Sequence, residues 1–353
     1  MAYHVEFPGL GIALDVNRVA MTVFGLPIYW YGICIALGLG LALAFAFAKA
    51  RSFGIDGDRM VDVIMLSTLC AIVGARAYYV IFAPFQYDSL WEMVNLRDGG
   101  IAIYGAVIGA FVSGYFFCKW RKIRVLPMFD LAAMGFLIGQ AIGRWGNFFN
   151  QEAFGTNTNL PWGMFSEGTQ SYLTSAMITP PAGVVIDPMM PVHPTFLYES
   201  IWCALGFFLL WAYSKRRKFD GEIALLYVMW YGVERFFVEG LRTDSLMTGI
   251  GLRTSQIVAA LSALIAAALW LYLRRKNKDV EMTVCYPVVD KKLDGPAVIC
   301  WKLSDKTPTQ AELADLIAQL KVPPVLPVGV WHQRKNNDCT TNHEEGNYPW
   351  QHN

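Results

Sequence analysis

Seven long apolar windows leave this chain few folds. They lie near residues 28–48, 60–82, 101–118, 126–144, 195–213, 222–239 and 254–273. A run of about 18 to 20 apolar residues wound as a helix matches the hydrocarbon thickness of a bilayer, where each backbone amide must find its partner within its own segment. Composition agrees: 55% of the 353 residues are apolar and 16% are charged, whereas soluble domains carry roughly 25% charged residues. The pattern predicts an all-α polytopic membrane protein with seven transmembrane helices. The first window starts well into the chain, without a basic leader or a small-residue cleavage site, and reads as a retained span rather than a removed signal peptide.

Charge orients the spans. Lys49, Arg51 and Arg59 follow the first; Lys119, Arg121, Lys122 and Arg124 the third; Lys215 to Lys218 the fifth; Arg274, Arg275, Lys276 and Lys278 the seventh. The opposite side carries Arg18, Arg97, Arg242 and Arg253, and the connection 145–194 has no Lys or Arg. Basic loops stay cytoplasmic, so the N-terminus is expected outside and the C-terminus in the cytoplasm, as an odd number of spans requires. The net charge of +1 suggests no nucleic-acid partner. Of the seven cysteines, Cys34, Cys70, Cys118 and Cys203 are scattered through the spans, and Cys285, Cys300 and Cys339 fall in the tail. No CxxC pair or His/Cys spacing suits a metal, and no metal or cofactor is expected.

Three segments differ from the spans. Residues 1–27 carry Pro and Gly that break any long helix, and are expected as an outer, partly ordered segment. The connection 145–194, rich in Asn, Gly, Thr and Pro, is too long for a simple link and is expected to form an ordered extracytoplasmic cap. Residues 1–278 would be the membrane-embedded domain. Residues 279–353 would be a cytoplasmic tail, a small α/β appendage in which "MTVCYPVV" and "PAVICWKL" form strands. "TPTQAELADLIAQL" would form a helix capped from Thr309 to Glu312, and the end would be disordered.

The costly residues of the spans converge. Taken in its expected direction, each span carries its unusual polar residues toward the outer leaflet. Arg76 and Tyr79 come late in the second and Arg144 ends the fourth. Tyr29, Tyr31 and Tyr104 come early in inward-running spans, and His193, Tyr198 and Glu199 stand at the outer end of the fifth. At about 100° per residue, Tyr231, Arg235 and Glu239 form one stripe on the sixth, which Arg242 extends if the helix continues. One arginine near a helix end is ordinarily a snorkelling side chain or an i, i+4 partner, here Arg235 with Glu239. Arg76, Arg144 and Arg235 at one depth favour a shared anionic ligand, because an arginine inside a span normally faces a polar cavity or a partner. Arg253 lies beyond this cluster. A transporter or flippase for an anionic lipid or solute is the rival reading; it requires polar residues lining both halves of the bundle, and the cytoplasmic halves look ordinary.

The stretch "GRWGNFFNQEAFG" at 143–155 resembles the signature of the bacterial prolipoprotein diacylglyceryl transferases. "WYG" at 30–32, "GARAYYV" at 74–80, "DGGIAIYGAVIG" at 98–109, "HPTFLYES" and "YGVERFFVEGLR" follow in the family's order, over roughly residues 5–275. The resemblance implies transfer of the diacylglyceryl group of phosphatidylglycerol to the thiol of a lipobox cysteine in a prolipoprotein signal peptide. A thioether would form and glycerol 1-phosphate would be released, in the bacterial cytoplasmic (inner) membrane and toward its outer leaflet. By motif position it implies functional roles for Tyr31, Arg144, Asn147, Glu152, Gly155, Arg235 and Glu239. Tyr104 stands where some members have a histidine, and tyrosine is a poor base at neutral pH.

The chemistry suits these residues. Sulfur attacks an sp³ carbon and a phosphate ester leaves, so negative charge grows on the departing phosphate. Arginine binds phosphate through a planar fork, which assigns Arg144 and Arg235 to the phosphate, with Glu239 orienting Arg235. Asn147, Asn150 and Glu152 would hold the glycerol hydroxyls, and Arg76, Gly155, His193, Tyr231 and Arg242 complete the expected substrate site. Four acceptors for the thiol proton stay open: Glu152, His193, Tyr104 assisted by an arginine, and the leaving phosphate.

Overall fold

The computed structural model describes residues 2–83, 87, 89–95, 99–175, 186–243, 253–279, 281–288, 297–303, 305, 307–309, 311, 312 and 315. In chain order the elements are β1 (Ala2–Phe7), β2 (Ile12–Asn17), β3 (Val19–Val23), β4 (Leu26–Tyr29), α1 (Trp30–Lys49), α2 (Gly57–Ile81), α3 (Leu90–Val94), α4 (Ile103–Trp120), α5 (Val125–Asn150), β5 (Phe165–Ser166), α6 (Glu167–Leu173), α7 (Thr195–Ser214), α8 (Glu222–Leu241), α9 (Thr254–Lys276), β6 (Thr283–Val288) and β7 (Ala297–Lys302). Among the described residues, six helices are long and apolar enough to cross a membrane: α1 with its 3-10 extension to Phe53, α2, α4, α5, α7 and α9. This is a mostly helical, multi-span membrane protein. The sixth expected span is also a helix, α8, but Glu234, Arg235 and Glu239 fall within any 18-residue window of it, and composition alone does not mark it as a span.

The chain divides into two compact units. The first comprises residues 1–45 and 132–278. Here residues 1–27 are more regular than expected. β1 pairs antiparallel with β2 from Ala2↔Asn17 to Phe7↔Ile12, and β5 joins its other edge at Val5↔Ser166. β3 and β4 form a separate hairpin closed by Phe24 and Gly25, both at positive φ, the conformation a two-residue turn needs to match strand twist. The connection after α5 is a packed structure. Phe154, Met164, Leu173 and Val192 bury with Val5, Val16, Phe148 and Phe196 into one core, and Ser166 caps α6 by accepting from Thr169 N.

The helices of this unit pack through small residues and aromatic pairs. A Cβ at Gly232 of α8 would stand 2.8 Å from the Ala259 carbonyl oxygen on α9, the close approach that small residues permit between membrane helices. Between α7 and α8, Trp202 and Trp230 stack at 4.4 Å, and each indole donates to the other's carbonyl, at 3.2 and 3.1 Å. Where α8 begins, the fully buried Glu222 carboxylate accepts from Tyr213 (2.7 Å), Trp270 (3.0 Å), Arg274 (2.6 Å) and the Lys218 amide (2.5 Å). Four donors on one carboxylate satisfy the demand of a buried charge.

The second unit comprises residues 46–131 and 279–353. Its α2 and α4 approach at Gly109, whose Cβ would meet the Cys70 carbonyl oxygen at 2.7 Å. β6 and β7 pair antiparallel from Thr283↔Lys302 to Val288↔Ala297, occupying the two stretches read as strands. Tyr286 donates to Asp56, the N-cap of α2, at 3.2 Å. Thr309 and Glu312 exchange capping bonds of 2.7 and 3.2 Å. The end read as disordered lies outside the described residues.

Candidate functional site

The site in the first unit grows from three helix ends. α5 does not stop at Arg144; it runs through Gly146 to Asn150, and the chain turns at Gln151 and Ala153, both at positive φ. Arg144 and Asn147 are therefore helical residues on one side of α5, one turn apart. The absent side chain at Gly146 leaves room for the Tyr31 ring, which a Cβ there would meet at 2.6 Å. Beyond the turn, Glu152 accepts from Asn147 at 3.1 Å and Asn150 at 3.2 Å, joining three expected hydroxyl-binding residues in one cluster.

The centre is a chain of four charges. Glu199 of α7, fully buried, places Oε2 2.5 Å from Arg144 Nη2 and 3.5 Å from Arg235 Nη1. Arg235 pairs in turn with Glu239 one turn along α8. Glu199 Oε1 is buried without a hydrogen-bond partner among the described residues. Two guanidiniums from different helices are thus set side by side by one carboxylate oxygen. Tyr231 flanks them, stacked on Tyr227 at 5.9 Å and 9°.

One turn away along α5 and α7 lies a second, milder layer. Gln140 donates to Tyr227 at 3.0 Å, and Cys203 Sγ stands 3.8 Å from both Gln140 Oε1 and Glu234 Oε2. Glu199, Cys203 and Glu234 were not among the assigned site residues. Glu199 stood in the "HPTFLYES" motif, but only the structure shows that α7 turns it toward both arginines.

The connection after α5 folds back on the ends of α7 and α8. Gly155 N donates to the His193 carbonyl at 2.9 Å, and Gly155 bridges to Arg242. A Cβ at Gly155 would stand 2.9 Å from that of His193, so glycine lets the strand-like segments close. The His193 ring meets the Tyr198 hydroxyl at 3.1 Å, and Tyr198 accepts from Trp162 at 2.8 Å. Burial pushes the His193 imidazole below its usual pKa, because a charged ring is poorly solvated there. Arg242 does not extend the α8 stripe: the helix ends at Leu241 and Arg242 is extended at φ −72° and ψ 155°. Its carbonyl accepts from Arg253, which is 2% exposed and caps α9. Arg253 is therefore a structural anchor, not the bystander its position beyond the cluster suggests.

Two expected residues belong to the second unit. Arg76 donates to the carbonyls of Met93 (2.9 Å), Gly99 (2.7 Å), Gly100 (2.7 Å) and Glu92 (2.5 Å), and lies over the rings of Tyr79 and Tyr87. Its guanidinium binds backbone in this structure. Tyr104 is half exposed, its ring 6.3 Å from that of Tyr78.

Two arginines from different helices are thus paired by buried carboxylates, beside an amide cluster at the end of α5. Comparison with known proteins makes the class specific. A family model described as prolipoprotein diacylglyceryl transferase matches residues 18–272. A relative from Finegoldia magna is 42% identical over 268 residues, covering 75% of this chain and 98% of the relative. One from Clostridioides difficile (strain 630) is 38% identical over 265 residues, with 75% and 98% covered. One from Bacillus cereus (strain Q1) is 41% identical over 273 residues, with 77% and 97% covered. All three are named phosphatidylglycerol–prolipoprotein diacylglyceryl transferase. The chain belongs to the prolipoprotein diacylglyceryl transferase family.

Proposed function

We infer that this protein transfers the diacylglyceryl group of phosphatidylglycerol to a prolipoprotein. The family membership carries the reaction; the arginine pair bridged by Glu199 supports the part assigned to it. The acceptor is the thiol of a lipobox cysteine in the signal peptide. Its sulfur, as thiolate, attacks the glyceryl carbon bonded to the phosphate oxygen, the C–O bond breaks, and glycerol 1-phosphate departs with the electron pair. Arg144 and Arg235 stabilise that growing charge, an effect largest where donors are fixed beforehand and water is scarce. Glu199 and Glu239 keep the two forks aligned, and Asn147, Asn150 and Glu152 meet the glycerol hydroxyls.

Seven spans, with α8 as the sixth, complete the reading. The N-terminus and the cap lie outside the cytoplasmic membrane and the tail inside. Glu222, the buried carboxylate at the start of α8, takes its donors from Tyr213, Trp270 and Arg274 and reads as a structural group rather than part of a transport path. Purified full-length protein given phosphatidylglycerol and a lipobox peptide should yield the thioether peptide and glycerol 1-phosphate in equal amounts. Folded protein that yields neither product refutes the reading. Reporters placed near residue 170 and after residue 278 should report opposite sides, and the same side for both overturns the topology.

A further inference from the structure

The β6–β7 hairpin sets two cysteines directly opposite each other. Its register pairs Cys285 with Cys300, between Val284↔Trp301 and Tyr286↔Ile299. Residues opposed in an antiparallel pair lie about 4.5 or 5.5 Å apart between Cα atoms, according to their place in the ladder. A disulfide spans about 4.4–6.8 Å between Cα atoms, so either place suits one. The other cysteines are placed differently. Cys34, Cys70, Cys118 and Cys203 lie one each on α1, α2, α4 and α7, and Cys339 lies outside the described residues.

Strand alternation says which face carries the pair. Successive residues of a strand belong to opposite faces, so Cys285 and Cys300 share a face with Thr283 and its partner Lys302. That face meets solvent: Thr283 and Lys302 are exposed, and Lys302 Nζ pairs with Glu281 at 2.9 Å, both side chains almost half exposed. The other face carries Val284, which is fully buried, and Tyr286, which donates to Asp56 at the N-cap of α2. The hairpin is docked by one face, and the two cysteines occupy positions on the opposite one.

We propose that Cys285 and Cys300 form a redox-responsive dithiol, closed to an intramolecular disulfide by exchange with a low-molecular-weight disulfide such as oxidised glutathione. One protein thiolate attacks a sulfur of the small disulfide, and one small thiolate leaves. The second protein thiolate attacks the sulfur of the first, and the other small thiolate leaves. Two protein thiols are oxidised, one small disulfide is reduced, and both protons pass to the released thiolates. On the cytoplasmic side, to which the proposed topology assigns the tail, the pair rests as thiols and closes when the surroundings turn oxidising. Closing it joins β6 to β7 while Tyr286 holds the hairpin on α2. The proposal is independent of the transferase reading, since the family match ends at residue 272.

The test uses the full chain in detergent, reduced and then equilibrated with reduced and oxidised glutathione at a series of ratios, quenched with acid and alkylated. Trypsin cuts after Lys278, Lys291, Lys292 and Lys302, leaving Cys285 in peptide 279–291 and Cys300 in peptide 293–302. Mass spectrometry then reads their linkage directly. Cys285→Ser and Cys300→Ser give the ratio at which under about a tenth of either variant carries a glutathione adduct. At that ratio most of the wild type should be linked, because the second thiol acts at high effective concentration. Ile299→Cys combined with Cys300→Ser moves the second thiol one residue along β7 and onto the other face, and should lower linkage about tenfold or more. An unfolded tail would link both proteins alike. Linkage in the wild type that is lost in the shifted variant supports the proposal. Equal linkage in the two, glutathione adducts without linkage, no linkage at any ratio, or a bond from Cys285 or Cys300 to another cysteine overturns it.

Discussion

Arg144 Nη2 stands 2.5 Å from Glu199 Oε2, a carboxylate from another helix with no exposure to solvent. The same oxygen receives Arg235 at 3.5 Å, so one acidic side chain sets the spacing of two cations. Both terminal nitrogens of Arg235 are engaged, Nη1 by Glu199 and Nη2 by Glu239, while Arg144 is held through Nη2.

Replacing Glu199 by Gln keeps the shape and removes the charge. Turnover should fall on the order of 10²-fold, as when a preorganised charge-stabilising group is lost, and the melting temperature should drop because two buried cations lose a shared anion. Glu199→Asp keeps the charge and should recover part of the rate. Transferase turnover measured beside thermal melts checks both; normal turnover in Glu199→Gln would remove the residue from the site.

His193 gives a pH dependence with a definite sign. Burial lowers its pKa below the unfolded value of 6.5, so the unfolded chain binds the extra proton first as pH falls. Stability is full above about pH 6.5 and declines as pH falls from there through the folded pKa. His193→Gln should flatten that decline. Melting temperature against pH for wild type and variant checks it; parallel curves through this window would contradict the assignment.

The tail is expected to be dispensable for chemistry. Truncation after Lys278 keeps the basic cluster at the end of α9 and removes β6 and β7. Activity should stay within about twofold of wild type, on the ground that the family match ends at residue 272. Tyr286→Phe in the full chain should cost about 1 kcal/mol, the net worth of one hydrogen bond, here the one to Asp56. Rate and melting measurements on the two variants separate these effects, and an inserted, stable, inactive truncation would place the domain boundary later.

Much of this was legible in the residues. Apolar runs of the right length located the spans because a bilayer tolerates so few alternatives. Arg144, Arg235 and Glu239 stood out because charge in a span is costly. The i, i+4 pair of Arg235 and Glu239 is set by helix geometry alone. What stayed hidden depends on long-range contact. That Glu199 bridges α5 and α8 follows from how α7 is rotated, which no local pattern encodes. The β1–β2–β5 sheet was hidden for the same reason: β5 comes from a segment about 160 residues away from β1. Arg76 and Arg144 look alike in sequence, yet Arg76 donates to carbonyls and Arg144 to a carboxylate. The fourth span was expected to end at Arg144, whereas α5 runs on to Asn150 and the bare Cα of Gly146 makes space for Tyr31.

The most direct measurement concerns the two arginines themselves. Arg144→Lys and Arg235→Lys each keep a positive charge and lose the planar fork. Arg121→Lys, at an exposed pair with Asp62, serves as the control, since such surface pairs contribute little; the buried Arg253 is unsuited to that use. Turnover of phosphatidylglycerol and lipobox peptide should fall on the order of 10²-fold in both site variants and hold in the control, with all three proteins inserted and folded. Near-normal turnover in both Arg144→Lys and Arg235→Lys would contradict the phosphate role and leave the arginines as scaffolding.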